Sequence, residues 1–157
     1  MSTFENPLDG YFRLFQGTDG SFVDMHETHG KLESRQNIPI AFFLAARGER
    51  VQLLPVLRIP GTKCADATRD GIEWEFKVPA GRTANAIDQA LRGANRQAAR
   101  VLIQVANEFD RQVLETAIYG RVRRAANIVE VAILLADALH HFTRQEILNN
   151  TFRGKMG

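Results

Sequence analysis

The chain has 157 residues, of which 45% are hydrophobic and 24% charged, and its formal net charge is +2. This composition excludes a disordered or fibrous protein, and no apolar run approaches the 18 residues of a membrane-spanning helix, so we expect no membrane partner. The length is sufficient to bury a substantial core, and we predict a single domain over residues 1–157.

The N-terminus and the cysteine usage bear on the compartment. Residues 1–5 lack the charged-then-apolar layout of a signal peptide, and the single cysteine, Cys64, cannot form an internal disulfide. Both features fit a reducing compartment, and we expect a cytoplasmic location.

The predicted elements begin with a hairpin. Aromatic and β-branched residues at 11–15 and 21–25 flank a turn rich in glycine at 17–20. A helix follows and ends near Gly48, a residue type typical of the position just past a helix end.

The start of this helix is left open by the sequence. Pro39 suits a first turn, so the helix begins near Asn37, or it begins near Leu32 and bends at the proline. Residues 50–56 are then predicted to form a strand, and residues 63–77 a second hairpin.

The C-terminal half alternates helices with buried strands. Thr83 is a suitable cap for a helix that runs to about Ala99, and residues 101–106 are apolar on both faces, as in a central strand. A helix over about 108–124 and a second apolar run at 128–136 follow, which predicts a right-handed parallel crossover. Thr143 and Glu146 form a capping-box pattern that opens a short terminal helix.

The second hairpin contains the residues that indicate a chemistry. Its Asp70-Gly71 pair is typical of a two-residue type I′ turn. Counting outward from this turn gives four cross-strand pairs: Arg69 with Ile72, Thr68 with Glu73, Ala67 with Trp74, and Asp66 with Glu75. Because side chains alternate along a strand, Asp66, Glu73, Glu75 and Lys77 share one face, and Ile72, Trp74 and Phe76 point into the core.

Two carboxylates opposed in this way repel each other unless a cation lies between them. Their hard oxygen atoms favour Mg²⁺ or Mn²⁺, and Lys77 is placed to orient or deprotonate a metal-bound water. On spacing alone the alternative is an exposed hairpin face on which Lys77 neutralises Asp66 and Glu75. A register slip of one residue would also separate the two acids.

Arginine is concentrated between positions 82 and 124, where there are eight arginines, four acidic residues and no lysine. The guanidinium group binds two phosphate oxygens at once, so we predict that a stripe of Arg92, Arg96 and Arg100, four residues apart on one helix, binds nucleic acid. A second group, Arg121, Arg123 and Arg124, is the alternative, and solvated helix faces explain the same composition.

Asp66 followed by Glu75-Phe76-Lys77 resembles the signature of the PD-(D/E)XK nucleases, with Ala65 at the usual proline position. The chain also resembles the C-terminal tRNase domain of CdiA contact-dependent growth inhibition toxins over about residues 33–136. The segments that carry this second resemblance are 43–48, 51–55, 74–79, 86–87, 91–92, 94 and 97–98. The resemblance implies an α/β fold with an α-β-β-β-α-β core and a mixed central sheet. The N-terminal hairpin and the short C-terminal helix are additions to that core.

The resemblance also implies a function. It predicts a metal-dependent endonuclease acting on RNA, with tRNA favoured, and, if the protein is toxic, an immunity protein or antitoxin as partner. It implies that Glu33 on the first helix joins Asp66 and Glu75 at the metal and that Gln97 is an active-site glutamine. From the sequence alone, Glu33 equally fits a solvated residue before the helix, and Gln97 the boundary of an apolar helix face.

Two alternatives remain at this point. The PD-(D/E)XK group more often cuts DNA, so a DNA nuclease of the same fold is the enzymatic alternative. A non-catalytic module that binds nucleic acid or a partner is the alternative of another class. The joint presence of Asp66, Glu75 and Lys77 argues against the module, because a decayed site usually lacks one of them.

Overall fold

The computed structural model describes residues 6–56, 64–95 and 97–157, which form eight strands and four helices in a mixed α/β arrangement. Contacts divide the chain into two compact units, the first ending at Trp74 and the second beginning at Glu75. The single domain expected from the sequence stays a prediction. None of the described helices is long and apolar enough to cross a membrane.

The first unit is a strand-rich layer with one helix. Its elements are β1 (Tyr11–Gln16), β2 (Phe22–His26), α1 (Lys31–Ala46), β3 (Arg50–Leu53), β4 (Ala67–Arg69) and the first residues of β5 (Ile72–Lys77). Pairing follows chain order and is antiparallel except between β2 and β3, which are parallel and joined through α1. Side chains of α1 and of these two strands form the buried interior, among them Val23, Ile40, Leu44 and Val51.

The structure confirms the N-terminal hairpin and resolves the start of α1. The helix begins at Lys31, which agrees with the earlier of the two predicted starts, and Pro39 lies inside it. Glu33 is the acidic residue in the first turn of α1, so it belongs to the helix and does not precede it.

The second unit contains the remainder of β5 and two βαβ crossovers. Its further elements are α2 (Ala84–Ala94), β6 (Arg100–Val105), α3 (Arg111–Val122), β7 (Glu130–Leu135), β8 (Ala138–Thr143) and α4 (Arg144–Leu148). β5, β6 and β7 are parallel, and β8 is antiparallel to β7. The apolar faces of α2 and α3 pack in one cluster with Val101, Ile103 and Val105 of β6.

The order and ends of the predicted elements are partly right. The order α1-β3-β4-β5-α2-β6 matches the predicted α-β-β-β-α-β order, Thr83 caps α2, and Thr143 and Glu146 form the expected capping box. The strand β8 was not predicted. The turn before it has Ala136 at φ 53°, a conformation that glycine or asparagine would have indicated in the sequence.

The predicted end of α2 near Ala99 is wrong, since the helix ends at Ala94 and Asn95 is its C-terminal cap. Gly93 and Asn95 are both poor helix formers, which explains the earlier end. As a result Gln97 lies in a turn, and Arg100 is the first residue of β6.

Candidate active site

The hairpin β4–β5 has the predicted turn and register. Asp70 and Gly71 have φ values of 49° and 87°, the positive pair that a type I′ turn requires. The observed partners are Arg69 with Ile72, Thr68 with Glu73, and Ala67 with Trp74, which confirms three of the four predicted pairs. The fourth pair, Asp66 with Glu75, falls one residue beyond them and stays a prediction.

Arg69 anchors this hairpin within the first unit. Its guanidinium donates two hydrogen bonds to the carboxylate of Glu49, at 2.6 and 2.7 Å, and lies 4.5 Å from the ring centroid of Trp74. Only 7% of Arg69 is exposed, so the ion pair is shielded from solvent. A bidentate, shielded pair opposes the one-residue slip that would separate the acids.

The alternation of burial along β5 agrees with the prediction at two of three core positions. Trp74 and Phe76 are buried, whereas Ile72 is 48% exposed because it flanks the turn at the tip of the hairpin. Glu73 is exposed, but Glu75 on the same face of the strand is only 2% exposed. A shielded carboxylate beside an exposed one distinguishes Glu75 from an ordinary solvated acid.

Two side chains of the second unit contact the Glu75 carboxylate. The Lys77 Nζ lies 3.6 Å from Glu75 Oε2, and the Gln97 amide, oriented with its nitrogen toward the carboxylate, donates to both oxygens. Burying a carboxylate is unfavourable unless it is paired and hydrogen-bonded, and these two contacts meet both requirements. We call Glu75, Lys77 and Gln97 the Glu75 cluster.

The last turn of α2 covers this cluster. Glu75 and Lys77 are in register with Val101 and Ile103 of β6, whose side chains pack against α2. A Cβ added at Gly93 would lie 3.5 Å from the Lys77 Nζ, so the lysine ammonium rests against the helix where no side chain intervenes. The Lys77 side chain is 29% exposed and gives the cluster its solvent-facing side.

The structure places the other predicted metal ligands as follows. Asp66 is partly buried just before β4, and its carbonyl accepts a hydrogen bond from the Leu54 amide at 2.9 Å. Glu33 is exposed, and its carboxylate lies against Gly30, the residue that caps α1. This position suits the interaction of a carboxylate with the amides of a helix N-terminus.

The residues of the Glu75 cluster offer part of the environment that Mg²⁺ or Mn²⁺ needs. A buried carboxylate with a neighbouring amide is a hard-oxygen site, but these ions take about six ligands and one carboxylate is insufficient by itself. In the ranges that the structure describes, no group of three or more His, Cys, Asp or Glu side chains is close enough to hold an ion. A metal site there would have to combine protein carboxylates with water, as Mg²⁺ sites commonly do.

The predicted arginine stripe does not lie along one helix. Arg92 is on α2, whereas Arg100 is in β6 and pairs with Glu130 at 3.2 Å, and Arg96 is outside the described residues. The stripe required a helix that continued past Ala94. Nucleic-acid binding by these arginines stays a prediction.

The second arginine group lies at the C-terminal end of α3. Arg121 donates two hydrogen bonds to Asp88 of α2, at 2.7 and 3.0 Å, so it joins the two helices. Arg123 and Arg124 are exposed, and Arg124 approaches Asp88 to 4.0 Å. The pKa of Asp88 is lowered, mainly by the Arg121 hydrogen bond, with Arg124 and Arg92 adding positive charge.

A cavity of about 390 Å³ lies in the second unit, beyond the carboxyl ends of the parallel strands β5 and β6. Its lining residues are Val78, Pro79, Gly81, Arg82, Gln104, Val105 and Ala106. This cavity was not predicted from the sequence. The available signal was topological, because ligands of open α/β sheets bind outside the carboxyl ends of the strands.

The chain resembles a known protein in its fold. No family model matches it, and no curated protein matches its sequence. Among solved structures it is similar to a chain of a CdiA-CT/CdiI toxin and immunity complex from Burkholderia pseudomallei, with a TM-score of 0.53 and 16% identity. The similarity covers 73% of this chain and 89% of that chain. At this level of identity the likeness shows a shared fold.

Proposed function

We propose that the protein is a metal-dependent endonuclease that hydrolyses phosphodiester bonds in RNA, with tRNA as the favoured substrate. The observation that carries the proposal is the Glu75 carboxylate, 2% exposed, with Lys77 Nζ at 3.6 Å and the Gln97 amide on its oxygens. Buried carboxylates with a specific charged partner occur more often at functional sites than on ordinary surfaces.

The proposed metal site combines Glu75 with Asp66, the next pair of the hairpin register, and takes Glu33 as a third ligand. Mg²⁺ or Mn²⁺ held there would supply a more acidic water and positive charge for the phosphate. Gln97 fixes the orientation of the Glu75 carboxylate, as an outer hydrogen-bond partner does for a metal ligand. Lys77, on the exposed side of the cluster, positions the attacking water and contacts the phosphate.

The exposed arginines at the ends of α2 and α3 extend this proposal to the substrate. Arg92 is exposed near the C-terminal end of α2, and its positive charge acts on Asp88 of the same helix. We propose that Arg92, Arg123 and Arg124 bind flanking phosphates. Arg121 has a structural role, because both of its hydrogen bonds go to Asp88.

The choice of RNA rests on the resemblance to CdiA tRNase domains and on the fold shared with a chain of a toxin and immunity complex. The same considerations support a role as a toxin and an immunity protein or antitoxin as partner. DNA is the alternative substrate.

Cleavage assays test the proposal directly. The purified chain is incubated with total RNA, tRNA and plasmid DNA, in Mg²⁺ or in EDTA, beside Glu75→Gln and Glu73→Gln. The two variants make the same charge change on the same face of one strand, but only Glu75 is buried in the cluster.

We expect cleavage of RNA in Mg²⁺ only, with activity retained in Glu73→Gln. Changing a residue that only hydrogen-bonds to a metal ligand typically lowers activity or metal affinity about 10- to 100-fold. Because Glu75 is proposed to bind the metal itself, Glu75→Gln should lower the cleavage activity by more than about 100-fold. Cleavage of plasmid alone would reassign the substrate to DNA. Binding without cleavage of any substrate would favour the non-catalytic module and reject the nuclease.

A further inference from the structure

The cavity beyond β5 and β6 adjoins the Glu75 cluster through the chain itself. Its first lining residue, Val78, directly follows Lys77, whose ammonium belongs to the cluster. Consecutive Cα atoms are about 3.8 Å apart, so the backbone that lines the cavity begins one residue beyond the cluster. Its volume of about 390 Å³ is within the range of small-ligand pockets.

The lining of the cavity combines apolar walls with two polar side chains. Val78, Pro79 and Val105 supply the aliphatic surface. Gln104, at the end of β6, is partly buried, and in the described part of the chain its side-chain amide has no hydrogen-bond partner. Neither atom of its amide is fully buried, so both the donor and the acceptor are accessible to a ligand.

Arg82 supplies the charge of the cavity. Its guanidinium lies 3.7 Å from the carboxylate of Glu108, and both side chains are well exposed, at 62% and 66%. Exposed ion pairs of this kind contribute little to stability, so an incoming phosphate can replace Glu108. The N-terminus of α2, capped by Thr83 next to Arg82, adds partial positive charge at the same place.

We propose that this cavity binds one nucleotide of the nucleic-acid strand, adjacent to the phosphate that is cut. Arg82 binds its phosphate, the aliphatic walls contact the sugar and the face of the base, and Gln104 hydrogen-bonds to the base edge. A glutamine amide offers a donor and an acceptor side by side, which fits adenine best. The identity of the neighbouring phosphate rests on the nuclease function proposed above, whereas nucleotide binding by the cavity does not.

The phosphate contact is tested by binding without catalysis. Fluorescence anisotropy in EDTA measures the affinity of the full chain for a labelled 12-nucleotide single-stranded RNA as a function of salt. Arg82→Gln should weaken binding and lower the slope of log affinity against log salt by about 0.7. Glu108→Gln removes the competing carboxylate and should strengthen binding.

Two results would overturn the phosphate contact. Because Arg47→Gln removes the same charge from an exposed arginine of the first unit, an equal loss in Arg47→Gln and Arg82→Gln would show a general charge effect. Unchanged affinity in both Arg82→Gln and Glu108→Gln would show that no phosphate binds there. Arg82→Gln could also weaken the binding of free AMP and leave the affinity for the RNA strand unchanged. That result would show that the cavity binds a free nucleotide and not one nucleotide of a strand.

The base contact has its own test. Affinities for 12-mers of A, U, C and G are compared between the wild-type protein and Gln104→Leu, whose side chain has similar size and no hydrogen-bonding group. Loss of a bidentate base contact should reduce the preference for A over the other bases by between about fivefold and about 150-fold. Equal preferences in both proteins would reject the role of Gln104. These binding measurements use no divalent ion, so their outcome does not depend on whether the chain cleaves RNA.

Discussion

At the scale of single residues, Lys77 has two roles that can be separated by experiment. Its ammonium neutralises the buried Glu75 carboxylate at 3.6 Å, which stabilises the fold, and its exposed side is proposed to act on the substrate. The first role requires the charge on Glu75. The second requires a substrate.

A double-mutant cycle measures the structural role of Lys77. We expect Lys77→Met to lower the free energy of unfolding by about 1–3 kcal/mol, because it leaves a buried carboxylate with one polar partner fewer. In the Glu75→Gln background the same change should cost much less, since the charge is gone. Urea unfolding of the four proteins gives the coupling, and a cost that is equal in both backgrounds would show that the two side chains do not interact.

At the scale of elements, the hairpin β4–β5 depends on the backbone conformation of its turn. Gly71 has φ 87°, with open space around it, so a side chain there meets no neighbour and only strains the backbone. Gly93, near the end of α2, has an ordinary helical backbone, and an added Cβ would make a normal contact with Lys77.

Substitution of the two glycines by alanine should therefore change the free energy of unfolding in opposite directions. Gly71→Ala is expected to reduce the free energy of unfolding by about 1–2 kcal/mol, the strain of a left-handed residue with a Cβ. Gly93→Ala is expected to raise it by about 0.5–1 kcal/mol, because alanine favours a helix over glycine. Thermal or urea unfolding measures both, and a stabilising Gly71→Ala would contradict the type I′ turn.

The contact between α2 and α3 predicts a pH dependence. Arg121 lowers the pKa of Asp88 below its usual value near 3.9, so the carboxylate is more acidic in the folded chain than in the unfolded one. The stabilisation from this pair is complete above that value and is lost as the pH falls through the lower, folded pKa.

Asp88→Asn should thus destabilise the protein at pH 7 and lose less stability than the wild type on acidification below about pH 4. Unfolding by urea between pH 2.5 and 7 measures the difference. Asp137→Asn removes an exposed carboxylate in the turn before β8 and is the control for net charge. Parallel pH curves for Asp88→Asn and the wild type would mean that the ion pair does not stabilise the folded state.

The elements also show how far the sequence could predict the structure. Local signals were sufficient for the turn at Asp70-Gly71 and the caps at Thr83 and Thr143, because each depends on residues within one turn. The end of α2 was missed because Ala98 continued the apolar period, whereas the helix ends at Ala94.

At the site, Lys77 and Glu75 are two residues apart on β5 and lie on the same face, as predicted from the alternation of side chains along a strand. The family resemblance implied that Gln97 is an active-site glutamine but did not predict its contact with Glu75. That contact depends on the turn after α2, which residue periodicity did not indicate. The cavity at Arg82 and Gln104 results from parallel pairing between segments about 25 residues apart in sequence, a long-range feature that no local pattern contains.

At the scale of the whole molecule, the proposed function links metal binding to stability. A ligand that binds only the folded chain raises the free energy of unfolding, by about 2.7 kcal/mol at a concentration 100-fold above its Kd. For a protein of this length, that corresponds to a rise in melting temperature of about 5–10 °C. The size of this rise in variants that each lack one proposed ligand therefore reports which carboxylates bind the ion.

We expect added Mn²⁺ to raise the melting temperature of the wild type and of Glu73→Gln equally, because Glu73 is exposed and outside the Glu75 cluster. Glu75→Gln and Asp66→Asn should each lose most of the rise, measured against the melting temperature of the same variant in EDTA, since an amide keeps the shape of the carboxylate but not the charge that binds the ion. Glu33→Gln tests the third ligand separately. Its carboxylate lies against Gly30, so a loss of the Mn²⁺ effect would require Glu33 to leave that contact when the ion binds. Calorimetric melting with and without Mn²⁺ decides each case. Retention of the full rise in both Glu75→Gln and Asp66→Asn would place the ion elsewhere and remove the basis of the proposed nuclease site.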